Sequence, residues 1–391
     1  MTPPDAVTRF DQQQKSRAID ALRGYAILLV IGLHVIGHVS ALAWPAKRLL
    51  LLGYSGVQLF FIASSVTLLM SWSRGYEQPL GIRIGQFFTH RFCRIAPLYF
   101  LAIPFYWFFE AMAPVDFKIE RLLATLLFVN AWTPDLLPTT GGWKPVPGGW
   151  SISVEFMFYL LFPLLALTVT TMRRAIGFVL AAYGIMLLAA TGGPALYANI
   201  DAAARQNFLF FWPPNQLIVF SIGFLLYRCI KSEGIRDRIE RSRIDANGAT
   251  ALLVAALLVI QFYDAAVLPR LAFLFPQHML LSILFAGWAL FMILKPTALA
   301  ASGVVVNVGK MSFSIYLIHF SALSVTGGLL ARIWPFTTEG AASIVYACIL
   351  LVMAAVVSYY LARITYRCVE APFIRFGKSC HAFVRAATPA L

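Results

Sequence analysis

The chain has 391 residues, 60% of them hydrophobic and 12% charged, with a formal net charge of +14. A soluble domain is roughly 45–50% apolar and about 25% charged, so an ordinary water-soluble fold is excluded. The apolar runs are continuous, as in Ala251–Ile260 and Ile349–Val357. That excludes the alternating strands of a membrane barrel and leaves an all-α, polytopic transmembrane bundle in a lipid bilayer.

In chain order, residues 1–17 are polar, with Gln12, Gln13, Gln14 and Lys15, and are expected to form a cytoplasmic N-terminal tail. The apolar run that follows is too long for a cleavable signal-peptide core and is expected to be a retained first span. Spans are expected over 20–40, 50–72, 94–113, 150–171, 175–192, 208–228, 247–263, 277–294, 311–331 and 343–362. The stretch 121–132 covers only about 18 Å of a hydrocarbon core about 30 Å thick. It is expected to be re-entrant or interfacial, which leaves about ten spans. A transmembrane domain over 18–374 and a cytoplasmic tail over 375–391 complete the division.

Ten spans put both termini on one side. With that side cytoplasmic, only Lys47, Arg48, Lys118, Arg121, Lys144, Arg205, Arg270 and Arg332 of the 31 lysines and arginines fall outside. This is the asymmetry of the positive-inside rule, so topology accounts for the charge and no nucleic-acid partner is implied. Cys93, Cys229, Cys368 and Cys380 map inside and Cys348 within a span, so no structural disulfide is expected. The loop 133–149 carries Pro134, Pro138, Pro145 and Pro147 with Gly141, Gly142, Gly148 and Gly149. It is expected over the outer mouth of the bundle, as a functional loop or a plain connector.

Ionisable residues within hydrocarbon are expensive and point to function. Arg23 and His34 lie eleven residues apart on the first span, about 20° past three full turns, so they share a face. The rise of about 16 Å takes His34 from the cytoplasmic edge to mid-bilayer. A neutral imidazole there suits a general base, although an interhelical hydrogen bond would equally explain it. Arg91 and Arg94 make a guanidinium fork suited to phosphate oxygens, or serve as interfacial anchors. Glu155 can orient an imidazole, receive a sugar hydroxyl or bridge two helices. Ser312, Tyr316 and His319 follow i, i+4, i+7 and form a stripe that should face the bundle interior. Walker, HExxH, CxxC and Gly-x-Ser-x-Gly patterns are absent, and neither a metal site nor a permanently bound cofactor is expected.

These motifs resemble the membrane acyltransferase-3 family of bacterial O-acyltransferases. Arg23 followed by His34 is similar to the family's Arg-x10-His signature. Arg91 and Arg94 match its basic pair, Trp150-Ser-Ile-Ser-Val-Glu its Trp-Ser-x-Ser-x-Glu element, and Ser312 to His319 its late Ser-x-Ser-x-Tyr-Leu-x-His stretch. Val369-Glu-Ala-Pro resembles the closing Glu-x-Pro, while Gln58 stands where many members carry Asp. The resemblance implies an acyl-CoA co-substrate, acetyl-CoA foremost, bound through Arg91 and Arg94. It implies catalysis by His34 with Arg23, and Glu155 on the acceptor side. Asp20, Trp150, Ser153, Tyr316 and His319 are then expected to line the substrate pocket. The expected acceptor is a glycan or glycoside hydroxyl and the expected location the bacterial inner membrane. The competing reading is a transporter or flippase that uses the same intramembrane residues.

Overall fold

The computed structural model describes residues 3–110, 117–137, 142–262, 274–334 and 339–387. Arg270, Pro138, Gly141 and the far ends of the expected spans 94–113 and 247–263 lie outside the described residues. Helices α1 (Pro3–Val35), α2 (Trp44–Leu51), α3 (Gly56–Arg74), α4 (Leu80–Glu110) and α5 (Ile119–Leu126) come first. They are followed by α6 (Gly149–Thr168), α7 (Met172–Leu196), α8 (Ala202–Phe211), α9 (Pro213–Lys231), α10 (Glu233–Arg241) and α11 (Ala246–Phe262). The chain ends with α12 (Gln277–Leu294), α13 (Gly303–Lys310), α14 (Ser312–Ile333), α15 (Gly340–Thr365) and α16 (Ala371–Ala387).

Among the described residues, nine helical segments are long and apolar enough to cross a membrane. The pair α10 and α11, bent by 90°, makes a tenth if it forms one broken span. The bundle is therefore all-α, as its composition requires, and no strand occurs among the described residues. With eight residues, α5 is too short to cross, as expected for the stretch 121–132.

Helix boundaries differ from the apolar stretches for local reasons. Two prolines start α1, and no glycine or proline follows until Gly24, so the polar segment expected as a tail continues the first span as helix. Residues 375–387 likewise belong to α16. α4 begins well before Arg94, because Arg83, Gln86 and His90 are polar yet face cavities within the fold. The expected span 208–228 is split at Trp212, where Pro213 and Pro214 cannot continue α8.

α1 runs through the centre, and glycines let its neighbours approach backbone to backbone. A methyl on Gly309 would overlap the Asp20 carbonyl, and one on Gly24 the Val305 carbonyl. On another side, methyls on Gly53 and Gly56 would meet the carbonyls of Leu29 and Ala26. The outer helices α7 and α15 instead present Leu180, Leu188, Val352 and Val356 outward, as lipid-facing surfaces do. All five cysteines are free thiols.

Candidate active site

α1, α3, α4, α6 and α14 converge on a chain of buried polar groups. Asp20 pairs with Arg23 one turn on, at 3.5 Å, and the Arg23 guanidinium donates to Thr67 Oγ1 of α3 at 3.0 Å. Arg91 and Arg94 sit one turn apart on α4 and point inward. Glu155, six residues into α6, accepts a 2.6 Å hydrogen bond from Ser64 Oγ. Tyr159, one turn further, lies within hydrogen-bonding reach of Glu155 and Arg91. Arg23, Arg91 and Arg94 face Glu155 across a cavity of about 70 Å³. Behind it, a π-helical turn at Tyr366–Glu370 tucks Glu370 fully into the protein. Its Oε2 accepts from Ser314 Oγ at 2.7 Å, within electrostatic reach of Arg94 and Arg23. Opposed charges of this kind offset one another's desolvation.

A second cavity, of about 210 Å³, abuts the first and is lined by His34, Lys144, Gly148, Gly149 and Trp150. Val57 and Tyr316 line both cavities and so form the partition between them. Ser151 Oγ donates to Tyr316 Oη at 2.8 Å, and Tyr316 Oη donates to the Gly148 carbonyl at 2.9 Å. Gly148 has φ +73°, and a Cβ there would stand 2.9 Å from that hydroxyl. Only glycine suits both the left-handed backbone and the close approach.

The His34 ring lies 5.2 Å from that of His319, centroid to centroid. His319 is fully buried, and its Nδ1 makes a 2.7 Å contact with the Tyr316 carbonyl. A carbonyl can only accept, so this contact assigns the proton to Nδ1 and leaves Nε2 as an acceptor, without a partner among the described residues.

The loop over the second cavity is built, not loose. Arg121 of α5 donates to the carbonyls of Asp135 (2.9 Å) and Trp143 (3.3 Å). The Trp143 ring packs against Trp107 and Phe117. Phe128 adopts φ 59° and stacks on Phe156 with centroids 3.6 Å apart. Its carbonyl accepts from Ser153 Oγ at 2.7 Å. A left-handed aromatic residue is unusual and holds only where packing enforces it. The segment 144–149 thus lines the same cavity as His34.

Of the expected site residues, Arg23, Arg91, Arg94, Glu155 and Tyr316 meet in the first cavity, and His34, Trp150 and Tyr316 in the second. Four lie elsewhere than expected. Ser153 is fully buried and turned toward Phe128 and Ala131 N, because it sits about 200° around α6 from Ser151. Asp20 stands behind Arg23, and His319 behind His34, so neither lines either of these two cavities. Glu155 also stands on the arginine side, not with His34, since α6 carries it about 9 Å below its start at Gly149. Ser64, Ser151, Tyr159, Lys144 and Glu370 are the additional site groups. Two carried a signal in the sequence: Tyr159 lies i+4 from Glu155, and Glu370 is an acid inside an apolar C-terminal pattern. Gln58, at the position where Asp is common, is fully buried and donates to Gln216 Oε1 at 3.2 Å.

Fold and site together define a multi-pass membrane protein with a buried arginine–carboxylate chamber set against a histidine-lined one. Within that class the chain belongs to the acyltransferase-3 family: the family model described as an acyltransferase domain matches residues 16–363. It is 21% identical over 385 residues to a Staphylococcus aureus (strain COL) protein named "Putative O-acetyltransferase", covering 94% of this chain and 59% of that protein. It is 25% identical over 360 residues to the acyltransferase MdmB of Streptomyces mycarofaciens, covering 86% and 87% of the two chains. Over 154 residues it is 26% identical to the peptidoglycan O-acetyltransferase OatA of Listeria monocytogenes, covering 37% of this chain and 23% of that one. The chain thus spans 59% of the length of the staphylococcal relative. No solved structure matches it.

Proposed function

We propose that the protein is an integral membrane O-acyltransferase that moves an acyl group, acetyl foremost, from acyl-CoA to a hydroxyl of an envelope or exported glycan. The observation that carries this reading is the pair of cavities meeting at Tyr316, one lined by guanidinia and the other by His34. A glycan acceptor accords with the name of the Listeria relative, which acts on peptidoglycan. Arg91 and Arg94, with Arg23, hold the anionic donor, while the acceptor enters under the 144–149 loop beside Trp150.

His34 serves the transfer in one of two ways. As base, it takes the acceptor's proton while the acceptor oxygen bonds the thioester carbonyl carbon. The C–S bond then breaks and the CoA thiolate recovers the proton. As carrier, its unprotonated nitrogen displaces the thiolate; the acceptor oxygen then takes the acyl group from the imidazole as the acceptor's proton passes to the thiolate. Both routes use a neutral ring, which packs against that of His319. Glu155 holds Arg23 and Arg91 in place through its charge. The distribution of its basic residues supports cytoplasmic termini, and the family resemblance supports a location in the inner membrane.

The test is CoA release by the purified protein in detergent, given acetyl-CoA and an envelope-glycan extract. Release should need both the extract and His34, and His34→Ala should abolish it while leaving the protein in the membrane. Normal turnover by His34→Ala would refute the mechanism. A terminal tag that reports outside would refute the orientation.

A further inference from the structure

A third cavity, of about 190 Å³, opens where α3 gives way to α4. Its lining includes Trp72, Arg74, Gln78, Arg83 and Arg91, and no carboxylate lines it among the described residues. Arg83 is only 8% exposed, an unusual state for an arginine at a helix start. Its guanidinium carbon stands 4.1 Å from the centre of the Trp72 ring and 4.9 Å from that of Tyr76, and one terminal nitrogen leans on the Trp72 carbonyl at 3.4 Å. The aromatic pair fixes the cation in place.

What the cavity lacks is a partner for its own donors. Arg83 Nε, Arg91 Nε and Trp72 Nε1 are all buried N–H groups without an acceptor among the described residues, and Gln78 Oε1 is unpartnered beside them. Buried polar groups are nearly always satisfied, so several orphans around one cavity call for a ligand. Fixed N–H donors and guanidinia in a concave wall match phosphate oxygens, which accept on every side. Arg91 also lines the arginine–carboxylate cavity. A molecule anchored here therefore extends past Arg91 toward Glu155, Tyr316 and His34.

We propose that this cavity is a phosphate site that seats the nucleotide phosphates of the acyl-CoA donor, with Arg83, Trp72 and Arg91 as donors. The assignment rests on the acyltransferase reading above and adds Arg83 and Trp72 to the donor-binding residues. The pantetheine arm then threads the arginine cavity and delivers the thioester to the Tyr316 partition.

The test is titration of the purified full-length protein, in phosphatidylcholine nanodiscs, with CoA, dephospho-CoA and pantetheine. CoA should bind more tightly than pantetheine. Arg83→Gln should weaken CoA by about tenfold and Trp72→Phe by about fivefold, with pantetheine unmoved in both. Trp72→Phe keeps a ring against Arg83 and removes one N–H, so it guards against a folding artefact. Equal losses for CoA and pantetheine would mark both variants as structural and overturn the site. A second arm adds phosphatidylglycerol. If that lipid stabilises the wild type but not Arg83→Gln, while CoA affinity is the same in both, the site belongs to a lipid headgroup and the donor assignment falls. CoA binding indifferent to both variants overturns this inference alone, whereas a wild type that binds no CoA overturns the donor reading as well.

Discussion

Tyr316→Phe removes one oxygen from the wall between the two cavities and leaves the ring in place. Two hydrogen bonds go with it, the 2.8 Å bond from Ser151 and the 2.9 Å bond to the Gly148 carbonyl. Interhelical hydrogen bonds in membranes average about 0.6 kcal/mol and reach about 1.7 kcal/mol, which brackets the pair at about 1–3 kcal/mol. Tyr316 is 7% exposed, so little water can replace the lost partner, and about 2 kcal/mol is the expected cost. An unfolding entropy of about 2.1 cal/mol/K per residue turns this into a fall in Tm of about 2–3 °C, read by tryptophan fluorescence in detergent. CoA release should drop by about thirtyfold, a similar energy now missing from the transition state, with the KM for acetyl-CoA changed less than twofold. Ser151→Ala breaks one of the two bonds, so its effect and that of Tyr316→Phe should be less than additive in the double variant. Wild-type melting and turnover in Tyr316→Phe would refute the partition, and strict additivity would refute the coupling.

Other substitutions separate packing from chemistry. Gly309→Ala sets a methyl against the Asp20 backbone, where neither side can yield, and should cost about 1–3 kcal/mol by thermal melting. Gly328→Ala, which meets nothing within 4 Å, should melt like the wild type. Ser153→Ala should lower Tm through its lost bonds to Phe128 and Ala131 and leave the acetyl-CoA KM alone; a shifted KM at unchanged Tm would return Ser153 to the pocket. Glu155→Gln keeps an acceptor for Ser64 but removes the charge facing Arg23 and Arg91. CoA release should fall by more than about tenfold, and unchanged release would reduce Glu155 to a helix–helix contact.

Much of this molecule is legible in its sequence because the bilayer imposes so strong a pattern. The span over 277–294 begins and ends where its apolar run does, and the common face of His34 and Arg23 on the first span follows from helical periodicity. What escapes is whatever depends on other helices. Hydropathy starts the third span at Arg94 because Arg83 and His90 look like surface residues, and only the fold supplies the interior cavities they face. Ser151 and Ser153 are indistinguishable in a Trp-Ser-x-Ser motif until the rotation of α6 is known. Glu370 is legible as part of the closing Glu-x-Pro element, but its full burial within electrostatic reach of Arg94 depends on the π-helical turn that adds a residue to one turn of helix.

The glycine contacts along α1 also fix how the reaction can move. Gly24 and Gly309 on one flank, and Gly53 and Gly56 on another, lock its backbone against two neighbours over several turns. A helix keyed in this way resists sliding by one register against those neighbours and moves with them as one unit. On the acyltransferase reading proposed above, His34 is therefore held fixed among its neighbouring helices, and donor and acceptor are what move to reach it.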